Sequence, residues 1–119
     1  MPKVVRKPET EAKYKEYLNS NKNGCPFCFK DGLPRKVLKK YKHWYITENL
    51  FPYDLHNSVS DMLVPFEHIE HFWDFNENQI QEYLEIRKEL GDGRYDEMLE
   101  NFPYGRTQVH FHQHLLKYL

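Results

Sequence analysis

Three histidines at two-residue spacing, His110, His112 and His114, and a cysteine pair, Cys25 and Cys28, are the residues whose types and spacing bear most directly on chemistry. In an extended segment alternate side chains share a face, so the three imidazoles point one way and Phe111, Gln113 and Leu115 the other. A single histidine on a surface is ordinary, whereas three in strict alternation beside a turn holding Gly105, Arg106 and Thr107 imply use. A neutral imidazole is a good nucleophile near pH 7, a proton carrier and a metal ligand. The H-x-H pattern on a strand therefore suits phosphate chemistry or a catalytic metal, and spacing alone does not choose between them.

The cysteines enclose Pro26 and Phe27 in a segment, Asn21 to Pro34, rich in Gly, Asn, Asp and Pro. Such a loop needs something other than a hydrophobic core to order it. C-x-x-C is half of a tetrahedral zinc site, which draws two further ligands from distant sequence. A redox pair expects a βαβ setting, which is not apparent here.

The elements that must position these groups follow from local patterns. Good helix formers from Glu9 to Asn21 carry Ala12, Tyr14 and Leu18 on one side, which predicts a short amphipathic helix. Lys36 to Lys40, Trp44 to Glu48 and Val59 to Pro65 are β-leaning and read as consecutive antiparallel strands. Between the last two, Leu50 to Asn57 forms an aromatic loop suited to walling a pocket. Asn76 is placed to cap a helix over about Glu77 to Leu90, with Ile80, Tyr83, Leu84, Arg87 and Leu90 as its inner face and Gly91-Asp92-Gly93 as its stop. Just before it, Phe72 and Phe75 read as core or dimer surface. Two last strands, about Tyr95 to Asn101 and Thr107 to Lys117, flank a turn at Phe102 to Gly105, and the second holds the histidines. The expected architecture is α+β, a helix packed on a mainly antiparallel five-stranded sheet, in one domain of 119 residues with an N-terminal helix and metal loop over about 8–34.

Composition narrows the function classes. The 17 basic and 18 acidic residues leave no net field that favours nucleic acid or an anionic membrane. Aromatics at 16% argue for a folded chain, and a mean hydropathy of −0.88 argues for polar surface. No apolar run approaches the ~20 residues that span a bilayer. Met1 to Lys7 lacks the apolar core of a secretory signal, so the expected compartment is the cytoplasm. His43 and His56 read as ordinary surface or loop residues.

His110-Phe111-His112-Gln113-His114-Leu115-Leu116 resembles the signature of the histidine-triad superfamily, His-φ-His-φ-His-φ-φ with φ apolar, departing from it at Gln113. Asn49-Leu50-Phe51-Pro52-Tyr53 is similar to the Asn-x-Phe-Pro segment that walls the nucleotide pocket in the zinc-bearing branches, and Met62 to His68 to the strand, proline and histidine that precede the long helix. Asn101, Gly105 and Thr107 resemble the polar residues that lead into the triad and help hold phosphate, at a shorter spacing than usual.

The resemblance implies a nucleotide-phosphate hydrolase or nucleotidyltransferase acting on nucleoside phosphoramidates, dinucleoside polyphosphates or related esters. The middle histidine, His112, would attack the α-phosphate to form a nucleotidyl-histidine, its tautomer set by the backbone carbonyl of His110. His114 would donate to a non-bridging oxygen or the leaving group, with Arg106, Thr107 or Gln108 supplying further donors. Asn49, Phe51 and Asn101 would contact the nucleotide. Likeness to the zinc-bearing members, including the galactose-1-phosphate uridylyltransferase branch, nominates His68 and His110 to join Cys25 and Cys28 around a structural zinc, with His71 as a substitute ligand. It also implies a homodimer, as in many relatives. Two rivals stand beside this reading: a metal-dependent hydrolase holding its metal on the three strand histidines, and a module that binds zinc and nucleotide without turnover.

Overall fold

The computed structural model describes residues 3–20, 25–28, 36–102 and 108–119. Its elements are α1 (Pro8–Ser20), β1 (Val37–Lys40), β2 (Trp44–Glu48), β3 (Asn57–Pro65), α2 (Glu77–Leu90), β4 (Glu97–Leu99) and β5 (Gln113–Tyr118). The strands form one antiparallel sheet in the order β1-β2-β3-β5-β4. This is the expected α+β architecture, and it sets the last strand in sequence between β3 and β4. No helix among the described residues is long and apolar enough to cross a membrane.

The hairpin of β2 on β3 pairs Trp44 with Pro65 and Ile46 with Leu63, which puts Trp44, Ile46 and Leu63 on one face and Tyr45, Met62 and Val64 on the other. On the first face lies α2, burying Tyr83, Ile86 and Leu90 against Trp44, Phe75, Phe111 and Leu115. Its start is set by a reciprocal capping box: Asn76 Oδ1 accepts from the Gln79 amide at 2.8 Å and Gln79 Oε1 from the Asn76 amide at 2.8 Å.

The inner face of α2 differs from the expected one. Gln79 and Ile86 are buried, while Leu84 is 56% exposed and Arg87 lies outside. Tertiary hydrogen bonding explains the rotation, because the Gln79 carbonyl accepts from Trp44 Nε1 at 3.0 Å and its side chain donates to Glu67 at 2.8 Å. The aromatic segment before the helix is a short 3-10 turn, Phe72–Asp74, in which Phe72 packs on the core and Trp73 stays exposed.

The last strand is also shorter than expected at its front. Gln113 pairs with Leu63, and β3 ends two residues later at Pro65, so His110 to His112 lie outside the ladder. The Phe111 amide instead donates to the Ile69 carbonyl at 2.7 Å. Alternation nonetheless survives: Phe111 and Leu115 enter the α2 face, and the histidines take the opposite one. Strand β4 spans three residues of the seven expected, facing Leu116, Leu115 and His114. Gln113, the polar residue in an apolar position, is buried on the α2 face. Its Oε1 accepts from Tyr83 Oη at 2.8 Å and its Nε2 donates to Glu100 at 3.0 Å. A buried amide with both ends bonded avoids the ~1–3 kcal/mol cost of an orphaned polar group.

Candidate functional site

On the face away from α2, the cysteine loop closes over the start of the histidine segment. Phe27 anchors it: its carbonyl accepts from Tyr45 Oη at 2.8 Å, and its ring lies 5.7 Å from His110 and 4.8 Å from His112. That brings Cys25, Cys28, His68 and His110 together, with all four ligand atoms within 4.8 Å of one another. His110 Nδ1 lies 3.5 Å from Cys25 Sγ, 3.6 Å from Cys28 Sγ and 3.2 Å from His68 Nδ1. Cys28 Sγ is 3.4 Å from His68 Nδ1. A tetrahedral ion with the usual zinc bond lengths needs about 3.3 Å between nitrogens and about 3.6 Å between nitrogen and sulfur.

The protonation pattern agrees with that fit. His110 Nε2 sits 2.9 Å from the Pro65 carbonyl, which can only accept, so Nε2 carries the hydrogen and Nδ1 turns a lone pair inward. His68 Nε2 faces the Glu70 carboxylate at 3.5 Å in the same sense. Two lone pairs at 3.2 Å with two sulfurs beside them are what a cation reconciles. These four residues can hold a metal. His71 is not among them; its ring stacks on Trp73 at 4.7 Å.

His112 and His114 stand further along the same face, both buried. His112 Nδ1 is 3.0 Å from the His110 carbonyl. Nδ1 therefore donates, and the lone pair is on Nε2. His114 is 3% exposed, and neither ring nitrogen has a hydrogen-bond partner among the described residues. Burial is the main cause holding its pKa well below the usual histidine value, with His112 and the Arg6 cation adding to it. A buried imidazole with no hydrogen-bond partner among the described residues is a group available to one.

The wall over His114 comes from the aromatic loop. The Tyr53 ring stacks on it with centroids 4.1 Å apart and planes 24° apart. Asn49 Oδ1 accepts from the Phe51 amide at 3.0 Å, shaping the loop from within. Phe51 packs on Tyr14 and Tyr17 of α1 at 5.2 and 5.1 Å. Asn101 Nδ2 reaches Tyr53 Oη at 3.5 Å, and Gln108 is half-buried. Arg106 and Thr107 lie outside the described residues, as do Gly105 and the end of the cysteine loop from 29 to 35. His43 is structural through its backbone, donating to Glu82 at 2.6 Å, and His56 is exposed.

Arg6 and Phe27 were not singled out in the sequence as site residues, and Tyr53 entered only as the end of the pocket-wall segment, without its place over His114. The only local signal is that Phe27 lies inside C-x-x-C and Tyr53 follows the Asn-x-Phe-Pro segment.

The depressed pKa of His114 has a measurable consequence. The unfolded chain takes up this proton near pH 6.5 and the folded chain only at lower pH, so the neutral form stabilises the fold above about 6.5. Stability is expected to fall as pH drops from about 6.5 toward 5, and the fall to be shallower in His114→Asn by urea titration at each pH. Parallel curves for the two proteins would contradict this.

By sequence the chain matches no protein-family model and no curated protein. Its structure is similar to that of a HIT family hydrolase from Clostridium thermocellum, with a TM-score of 0.65 and 22% identity over 83% of this chain and 94% of that one. A HIT family hydrolase from Legionella pneumophila Philadelphia 1 superposes with a TM-score of 0.61 at 20% identity, covering 78% and 91%. A hypothetical histidine triad nucleotide-binding protein from Sulfolobus tokodaii gives 0.64 at 18%, covering 79% and 68%. With the order β1-β2-β3-β5-β4, α2 on one face and the three histidines on the other, this chain has the fold of the histidine-triad proteins.

Proposed function

We propose that the protein is a nucleotide-phosphate hydrolase or nucleotidyltransferase that works through a nucleotidyl-histidine at His112. The observation that carries this reading is the pairing of a buried His112, whose Nδ1 hydrogen is committed to the His110 carbonyl, with a buried His114 that has no partner among the described residues. The Nε2 lone pair of His112 forms a bond to the α-phosphorus while the bond from phosphorus to the leaving oxygen or nitrogen breaks. His114, which burial holds neutral, donates a hydrogen bond from its ring N–H to the leaving atom, whose proton comes from solvent. In the second step water or an acceptor hydroxyl attacks the phosphorus, giving its own proton to solvent as the bond to His112 Nε2 breaks. The positive charge that the phosphorylated ring carries is met by the His110 carbonyl. Nucleoside phosphoramidates and dinucleoside polyphosphates fit, because both present an α-phosphate with a leaving group that needs a proton. Asn101, Gln108, Arg106 and Thr107 are the candidate contacts to the phosphate, and Asn49 and Phe51 shape the nucleotide wall. The proteins of this fold named above as hydrolases and as nucleotide-binding support the class of chemistry.

Zinc is the ion proposed for Cys25, Cys28, His68 and His110, since two thiolates and two imidazoles in a closed tetrahedron suit it and leave no open position for a water. Bound there, it would fasten the cysteine loop to the sheet. The arrangement speaks against a catalytic metal on the triad: among the described residues the metal-competent group takes His110 but neither His112 nor His114.

The test is intact-mass spectrometry after incubation with a nucleoside 5′-phosphoramidate. A mass increase of one nucleotidyl group is expected. Nucleotide binding with neither adduct nor turnover would instead assign a binding module, and turnover without an adduct would leave direct attack by water.

A further inference from the structure

We propose that Tyr53 is a positioning residue for His114, its ring clamped by Arg6 and fixing the direction in which His114 presents its ring nitrogens. The role of His114 in this statement rests on the reading above.

The need for such a residue follows from what His114 lacks. Buried imidazoles are ordinarily oriented by hydrogen bonds to their nitrogens, and His114 has none among the described residues. Its orientation must then come from packing. Met62 and Leu99 flank it across the sheet, and neither constrains the plane of an aromatic ring as a second ring does. Two rings do touch it: Tyr53 face-on at 4.1 Å and 24°, and His112 edge-on at 5.1 Å and 79°. A face-on stack forbids tilting out of plane while leaving the ring edge, where both nitrogens lie, unobstructed by Tyr53.

Tyr53 can impose this because it is held at several points. Its amide donates to Ser60 Oγ at 3.0 Å, its carbonyl accepts from Asn57 Nδ2 at 2.9 Å, and its hydroxyl accepts from Asn101 Nδ2 at 3.5 Å. The Arg6 guanidinium lies 4.9 Å from its ring centroid and 4.1 Å from that of Tyr14. Arg6 is anchored in turn by Nε donating to the Phe51 carbonyl at 2.7 Å and by Glu11 at 3.3 Å. A cation is attracted to the face of an aromatic ring, and here Arg6 joins the N-terminal segment, α1 through Tyr14 and the loop through Tyr53. Among the described residues, the ionisable groups around His114 are His112, Tyr53 and Arg6, with Glu11 balancing Arg6.

The experiment compares Tyr53→Phe, which keeps the ring, with Tyr53→Leu, which removes it. In NMR of histidine-labelled wild-type protein, the His114 ring protons, assigned by their loss in His114→Asn, are expected upfield of those of His43 and His56 because they lie over a tyrosine ring. That displacement should persist in Tyr53→Phe and vanish in Tyr53→Leu. In turnover, Tyr53→Phe should stay within about threefold of wild type, while Tyr53→Leu loses about ten- to a hundredfold in kcat with KM changed less than about threefold. Equal losses in the two variants, an unchanged kcat in Tyr53→Leu, or unshifted His114 protons in the wild type would overturn the proposal. The wild-type spectrum decides even if Tyr53→Leu does not fold. It also needs no turnover, so a protein without nucleotidyl transfer would defeat the functional reading while this one still stood or fell on the spectrum.

Discussion

His112→Asn is expected to form no nucleotidyl-protein species and to lose several powers of ten in turnover of a nucleoside phosphoramidate, because an amide cannot become the covalent intermediate. The hydrogen bond from Nδ1 to the His110 carbonyl at 3.0 Å is what presents Nε2 with its lone pair. Asn keeps a donor for that carbonyl, so the backbone around the metal ligand should survive, and metal content and melting temperature serve as controls. His114→Asn is expected to behave differently, since the amide still offers an N–H toward the leaving group. Rapid quench should therefore trap an adduct in His114→Asn, formed more slowly than in the wild type. A rate for His112→Asn within tenfold of wild type, or an adduct in that variant, would exclude His112 as the nucleophile.

Removal of the metal is expected to lower the melting temperature by more than about 10 °C, because the binding energy of a structural zinc is folding energy, and losing about 3 kcal/mol shifts a domain of this size by that much. The same shift should follow Cys25→Ser, with one equivalent of zinc found in the wild type by metal analysis and none in the variant. The geometry adds a finer expectation. Phe27 sits between the two cysteines and packs 4.8 Å from His112, and His110 belongs both to the four-ligand cluster and, through its carbonyl, to the support of His112. Loosening the loop should thus slow adduct formation as well, by less than the loss in His112→Asn. A metal-free protein of unchanged stability would refute the structural role.

Much of the site was legible because it is written locally. Alternation along an extended segment put His110, His112 and His114 on one face, and this held even where the segment leaves the ladder, since extended backbone alternates whether or not it is paired. The bounds of α2 were legible for a similar reason, because Asn76 and Gly91 act within a turn of the helix ends they define. The proximity of His68 and His110 to the cysteines followed from family likeness, not from spacing.

What the sequence alone determined, then, is the chemistry available: a histidine face, a pair of thiols, and strands and helices whose local patterns leave few ways to pack. Tertiary structure decided which groups meet. Phe27 meets His112 and Tyr53 meets His114 across 85 and 61 residues, and Arg6 lies over the Tyr53 ring; local sequence marks the segments of Phe27 and Tyr53 but not these contacts, and does not mark Arg6. The cause is the sheet order, which inserts β5 between β3 and β4 and so brings the end of the chain against loops formed near its start. The rotation of α2 that buries Gln79 and exposes Leu84 has the same origin, because the Gln79 carbonyl meets Trp44 Nε1 only once β2 lies beneath the helix. Gln113 breaks an apolar pattern for a reason 30 residues away, the Tyr83 hydroxyl. A hydrogen bond across that separation depends on where two elements dock, which local propensity does not encode.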